Sequence, residues 1–366
     1  MQEDIQLSEY FDVKSTRHSG RTCFANQDLK KGMTVLQLQR AIGSTICYGF
    51  RKEVCHYCFH YDHGKTMKIR VNSEQAEKLG MKVHRTFTGA GMWFCNELCR
   101  DEFLSTKHIS DLLEVFEAIS SSLQRCKRNK KVMVEEGTVD GGDIITSSSI
   151  ERAWDKVEKK WIPQINGVKL PARLEAMKVV LDEEHYSCAR FVAECLFKLK
   201  HMERDSPMYK SFMNLQSNEL QKICEFPVLL KFQTEVYMFL YVTLPENLKS
   251  LMTRELFRKI LGSEYGNSFG IWQENEAFDN REYLGYWMLP EGSFFNHSCA
   301  PNLSKKRIGN VMNFVLNKDV KMGDELCIDY KGILDLPIHQ RRKILKTNWF
   351  FECQCSRCSL ELQSIH

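Results

Sequence analysis

Near its C-terminus the chain reads Asn296-His297-Ser298-Cys299-Ala300-Pro301-Asn302, then Gly323-Asp324-Glu325-Leu326-Cys327-Ile328-Asp329-Tyr330, then Cys353-Gln354-Cys355-Ser356-Arg357-Cys358. One cysteine in the first string and three in the last make four soft ligands. That set suits a closed tetrahedral zinc site tying the two segments together. The middle string reads as a strand that ends in a tyrosine.

Working outward, residues 265–335 carry short β signals. Ile308-Gly309-Asn310-Val311 predicts a hairpin turn, and Lys321-Met322-Gly323-Asp324 a second one. The first 50 residues add opening strands, Arg21 to Ala25 and Thr34 to Leu38, separated by a Lys30-Lys31-Gly32 turn. Between these ends the pattern is different. Residues 51–105 hold Cys55-x-x-Cys58 and Cys95-x-x-x-Cys99, a second complete set of four ligands with knuckle spacing. From His108 onward Ile109, Leu112, Leu113, Phe116, Ile119 and Leu123 recur at helical spacing. Residues 172–262 are mainly helical too, with Tyr186, Ala189, Val192, Ala193, Leu196 and Leu199 on one face. A helix from Leu248 to Leu261 is expected to close at Gly262. The basic run Arg125 to Lys131 reads as a solvated helix end, and Gly137 to Ser149 as the linker.

Composition narrows the class. The 366 residues carry 51 basic and 47 acidic side chains, for a net charge of +4, which is too balanced to favour a nucleic-acid partner. Met1-Gln2-Glu3-Asp4 lacks the apolar core of a signal peptide. The longest apolar run, Val236 to Leu244, falls far short of the roughly 20 residues that cross a bilayer. Fifteen cysteines with clustered spacings point to zinc in a reducing compartment, cytoplasmic or nuclear, rather than to disulfides. The seven outside the two ligand sets, Cys23, Cys188 and Cys327 among them, read as small core hydrophobes.

The three C-terminal strings, in that order, resemble the SET-domain protein lysine methyltransferases, whose signature motifs have the forms NHSCxPN and GDELxxDY. The insert resembles a MYND zinc finger: Trp93-Phe94-Cys95-Asn96-Glu97-Leu98-Cys99 matches one of that family's cysteine pairs. The finger is degenerate, because it lacks the second cysteine pair and the terminal cysteine. His60 with His63, or His84 with His108, could rebuild a second site, although lone histidines are more often surface or hydrogen-bonded residues. The resemblance implies an α+β fold: a β-rich SET core (1–50 and 265–335) interrupted by a MYND-like finger (51–105) and a helical insert with linker (106–264). A post-SET cysteine-rich segment (336–366) follows, in which Cys299 completes the site of Cys353, Cys355 and Cys358.

It further implies two structural zinc ions, S-adenosyl-L-methionine as cofactor and a protein substrate with a target lysine. Tyr330 is then the catalytic residue, its phenol orienting the amine. The cofactor contacts are Arg21, Asn267, Asn296, His297, Tyr330 and Phe351. Trp349 faces Tyr330 across the substrate channel, at a position where the family commonly has a tyrosine. A second departure lies in Gly20-Arg21-Thr22, where the family has Gly-x-Gly; the Thr22 side chain is expected to narrow the cofactor's approach. A monomeric enzyme is the leading expectation. The rival is a weak or inactive SET protein serving as a protein-interaction module.

Overall fold

In the computed structural model, residues 5–16, 20–128, 145–274 and 280–364 are described. Their strands form three small sheets, and each sheet joins the two ends of the sequence. In the first, β1 (Phe11–Thr16) pairs antiparallel with β2 (Gly20–Ala25). The second sheet opens with β3 (Thr34–Leu38) and the third with β4 (Gly43–Ile46); their partners come only after residue 267. β4 lies against β6 (Tyr283–Met288), which also takes β5 (Ser268–Trp272).

The two-residue β7 (Asn296–His297) belongs to the first sheet. β8 (Leu303–Ile308) and β9 (Val311–Leu316) form the expected hairpin, and β9 pairs with β3. Finally β10 (Glu325–Ile328) inserts between β2 and β7, antiparallel to the former and parallel to the latter, with Cys327 opposite Asn296 and Ile328 opposite His297. The first two quoted strings therefore lie side by side. The Lys321–Asp324 turn is present but is no hairpin: β9 and β10, which it connects, sit in different sheets.

An aromatic cluster fastens the sheets to one another. Phe295 packs on Phe11 of β1 at 5.2 Å and on Phe314 of β9 at 4.8 Å, and Phe314 reaches Phe269 of β5 at 6.0 Å. Each such ring contributes about 2–3 kcal/mol through burial, and each pair about 1 kcal/mol more.

The excursion between β4 and β5 is the finger and then helices. Ile109–Arg128 is a helix whose Leu112, Leu113, Phe116, Ile119 and Leu123 are buried, as their spacing predicts. Asp182 caps the helix Glu183–His201 by accepting from the amides of Glu184 and His185. That helix holds the sheet: Glu194 accepts from the amide and hydroxyl of Ser44 on β4, each at 2.9 Å. A Cβ on Gly43 would lie 2.4 Å from Cys195 Sγ, so the approach of strand to helix needs glycine there.

Two helix limits differ from expectation. The Leu248 helix is broken, since Thr253 caps a new helix, Arg254–Asn267. That helix runs through Gly262, where a Cβ would meet Ser217 Oγ at 2.1 Å; the glycine serves close packing, not termination. Ser147–Ser149, expected in the linker, instead open a helix capped by Thr146; residues 129–144 of the basic run and linker, like Met1–Asp4, lie outside the described residues. All fifteen cysteines are free. Cys23 and Cys188 are buried as expected, while Cys327 is half-buried and Cys224 exposed. Among the described residues no helix is long and apolar enough to cross a membrane.

Candidate active site

Both ligand sets come together. Cys55, Cys58, Cys95 and Cys99 form one group and Cys299, Cys353, Cys355 and Cys358 the other, with the sulfurs of each within 4.8 Å of one another. A zinc ion bonded tetrahedrally to four sulfurs spaces them about 3.8 Å apart. The separations fit: Cys58–Cys95 is 3.6 Å, Cys95–Cys99 3.5 Å, Cys299–Cys353 3.9 Å and Cys299–Cys358 3.5 Å. Among the described residues no such group includes a histidine. His63 faces Gln273 and His108 stacks on His201.

The finger packs on the core through Phe59, which meets Trp287 of β6 at 5.3 Å. The C-terminal group is held by buried Arg341, whose guanidinium donates to Leu336 O, to Glu361 at 2.6 Å and to Cys358 Sγ at 3.8 Å. Arg357 donates to Cys299 O at 3.1 Å. The two guanidiniums share the Glu361 carboxylate, at 2.6 and 2.7 Å, and offset part of the negative charge that four thiolates around a zinc ion would carry.

Tyr330 stands two residues beyond β10, where the Asp329 carboxylate accepts from the amides of Lys331 and Ile333 and turns the chain. The amide of Tyr330 donates to His297 Nδ1 at 3.2 Å, so the ring proton is on Nε2, which faces Cys299 Sγ at 3.3 Å. Burial lowers the pKa of His297 to about 4, which keeps it neutral, and the Tyr330 amide fixes the tautomer. The imidazole thus links the cysteine group to the tyrosine backbone. Burial also raises the pKa of the Tyr330 phenol above its usual value, so it stays protonated near neutral pH.

Around Tyr330 stand Trp349 at 5.2 Å, His297 at 5.4 Å and Phe351 at 6.3 Å, ring to ring. Trp349 ends the helix Ile338–Trp349, and its indole donates to Gly266 O at 3.1 Å. Phe350 follows with φ of 61°, a left-handed cap that turns the chain toward the cysteines. Tyr330, Trp349 and Asn267 line one cavity of about 1020 Å³. The Asn267 amide donates to Ser263 O at 2.7 Å and Gln216 O at 3.1 Å, leaving its oxygen for other partners.

Asn296, His297 and Phe351 lie beside that cavity without lining it. Asn296 donates to Glu325 Oε1 at 3.3 Å, and Thr22 donates to the same oxygen at 2.6 Å. The Thr22 side chain is therefore buried against β10. Arg21 is turned elsewhere, its guanidinium bonded to both oxygens of Asn214 and lying 5.5 Å over Phe294.

One wall residue escaped the sequence reading. The Lys305 ammonium donates to Tyr330 O at 3.1 Å and lies 5.7 Å over Phe269; burial lowers its pKa to about 8. A signal existed in β8: Leu303, Lys305 and Arg307 face inward while Ile308 is 58% exposed, an alternation that places charge inside.

The SET domain family model matches residues 20–331. The chain belongs to the SET-domain family. Over 366 residues, 99% of this chain and 98% of the relative, it is 45% identical to a Saccharomyces cerevisiae protein named potential protein lysine methyltransferase SET6. A SET and MYND domain-containing protein of Dictyostelium discoideum is 39% identical over 111 residues, covering 30% of this chain and 27% of that one. The mouse protein-lysine N-trimethyltransferase SMYD5 is 39% identical over 90 residues, 23% of this chain and 21% of that one. These matches fit a divergent member of the SET-and-MYND type and do not favour the non-catalytic rival.

Proposed function

We propose that the protein transfers the methyl group of S-adenosylmethionine to a lysine side chain of a protein substrate, histone or non-histone. The observation that carries this reading is the placement of Tyr330. Its backbone is tied through His297 to the Cys299 group, while its ring faces Trp349 on the wall of the 1020 Å³ cavity.

The residues fit the cofactor: the Asn267 amide, its NH2 held by Ser263 O and Gln216 O, leaves an acceptor oxygen on the cavity wall for a ligand amine, and Phe351, 6.3 Å from Tyr330, offers an aromatic face for a base. When bound, S-adenosylmethionine supplies an electrophilic methyl group on a positive sulfur. An incoming lysine is an ammonium with an ordinary pKa of about 10.4 and must lose a proton before it can attack. Tyr330 and Trp349 exclude water and so favour the neutral amine, and the nearby Lys305 charge opposes a second ammonium. The phenol, kept protonated by burial, orients the amine through its oxygen lone pairs without acting as a base.

On this reading zinc fills both cysteine groups. Residues 1–50 and 265–335 form the catalytic core, 51–105 the finger, 106–264 the helical insert and 336–366 the closing tail. The free thiols suit a reducing compartment, cytoplasm or nucleus. The test is incubation with methyl-labelled cofactor on a protein array. Label on lysine, lost in Tyr330→Phe, is expected; no label together with no calorimetric cofactor binding overturns the reading.

A further inference from the structure

A second cavity of about 420 Å³ adjoins the first, and both are walled by Glu264, Tyr265, Tyr283 and Tyr286. Leu229, Phe232 and Leu261 complete an apolar lining on the far side. Glu264 projects from the Arg254–Asn267 helix where the two spaces join. Among the described residues no side-chain hydrogen bond or ion pair reaches its carboxylate; Lys222 acts on it only through space. The other acids of the smaller cavity are Glu183, already paired with Lys127 at 2.8 Å, and Glu184. Burial raises the Glu264 pKa to about 7, a measure of what this carboxylate lacks.

Glu264 is half-buried, its carboxylate facing the cavities with no direct partner, and the three tyrosine rings around it offer no positive charge. An apolar ligand would bury the acid further, and an anion would be repelled. An alkylammonium or guanidinium would satisfy the carboxylate and lie against the ring faces, the arrangement that aromatic walls favour for cations. The place is also right for a substrate. Two residues after Glu264, the Gly266 carbonyl holds the Trp349 indole, whose ring is 5.2 Å from that of Tyr330.

The geometry points to a subsite, formed by Glu264 with Tyr265, Tyr283 and Tyr286, for a second positively charged side chain of the protein substrate. The preferred substrate then carries an arginine or lysine close in sequence to its target lysine. This rests on the larger cavity being where the target lysine enters.

The probe is a series of short fluorescein-labelled Gly/Ser peptides with a central lysine, each flanking position substituted in turn by arginine, lysine, trimethyl-lysine or norleucine. Their binding to the full-length, zinc-loaded protein is followed by anisotropy. Arginine or lysine at one or more positions is expected to bind about 3- to 30-fold tighter than norleucine. Glu264→Gln should abolish that ratio and Glu264→Asp should keep part of it. Equal binding of arginine, lysine and norleucine everywhere, or a ratio that survives Glu264→Gln, overturns the subsite. So does tighter binding of trimethyl-lysine than of both unmodified residues, which would make the site a reader of methyl marks. Should Glu264→Gln lose its fold by circular dichroism, the wild-type series and Glu264→Asp still decide. Anisotropy reads occupancy rather than turnover, so absence of methyl transfer removes the enzymatic reading, whereas loss of the cation preference with transfer intact removes only the subsite.

Discussion

In the finger, Cys55 alone of its four ligand residues is buried, whereas in the C-terminal group Cys299, Cys353 and Cys358 all are. The ligand types are identical, but the surroundings differ. The finger meets the core through Phe59 on Trp287 and His63 against Gln273, neither of them a ring neighbour of Tyr330. The C-terminal group is wired to the candidate site: Cys299 to His297, His297 to Tyr330, and Phe351 two residues before Cys353. Four cysteines thus specify a fastening, and what is fastened determines whether chemistry depends on it.

The largest expected effect tests that contrast directly. Cys358→Ser should cost one zinc per chain by elemental analysis and about 10³-fold or more in methyl transfer, because metal binding and local folding are coupled and the tail carries Trp349 and Phe351. Cys95→Ser should also cost one zinc, yet reduce transfer only about tenfold or less. Equal losses of activity would break the comparison.

Tyr330→Phe comes next. It removes the phenol oxygen and leaves the backbone bond to His297, so both zinc ions should remain while kcat falls about 100-fold. Lost zinc in this variant would mean that the tyrosine supports the fold rather than the reaction. A smaller change is expected for Trp349→Phe. The aromatic wall survives but the indole bond to Gly266 O does not, a net loss of about 1 kcal/mol, or roughly fivefold in kcat/KM.

Much of this was legible because the chemistry is local. A Cys-x-x-Cys pair, a Gly-Asp turn before a strand, and apolar residues at helical spacing each reveal their role within a few positions, and both cysteine groups and the Ile308–Val311 hairpin formed as their sequences implied. What stayed hidden depends on distant partners. Gly262 looks like a helix stop until Ser217 is seen against it, and the turn at Lys321–Asp324 looks like a hairpin until β10 is seen to join β2. The partner of Arg21, Asn214, lies far along the chain and could not be read from the sequence around it. Lys305 shows only as a charge on the inward face of β8, and Glu264 carries no motif; the fold alone places both on the wall of the cavity that Tyr330 lines.

The smallest effect concerns Thr22, where the family pattern has glycine. A threonine there is expected to crowd the cofactor, yet its hydroxyl donates at 2.6 Å to Glu325, the residue that also receives Asn296. The side chain is fully buried, on the strand that pairs with β10, so it fills a space inside the sheet. Thr22→Gly therefore removes a buried hydrogen bond and loosens a strand, which should cost roughly 1–3 kcal/mol of stability in a denaturant titration. Cofactor affinity by calorimetry should change less than about twofold, since the change in contact free energy falls on the sheet and not on the ligand. A several-fold gain in affinity would show instead that Thr22 crowds the ligand. The Glu325 bond would then be incidental, and the contrast with the well-fastened C-terminal tail would need a second, looser wall to the same site.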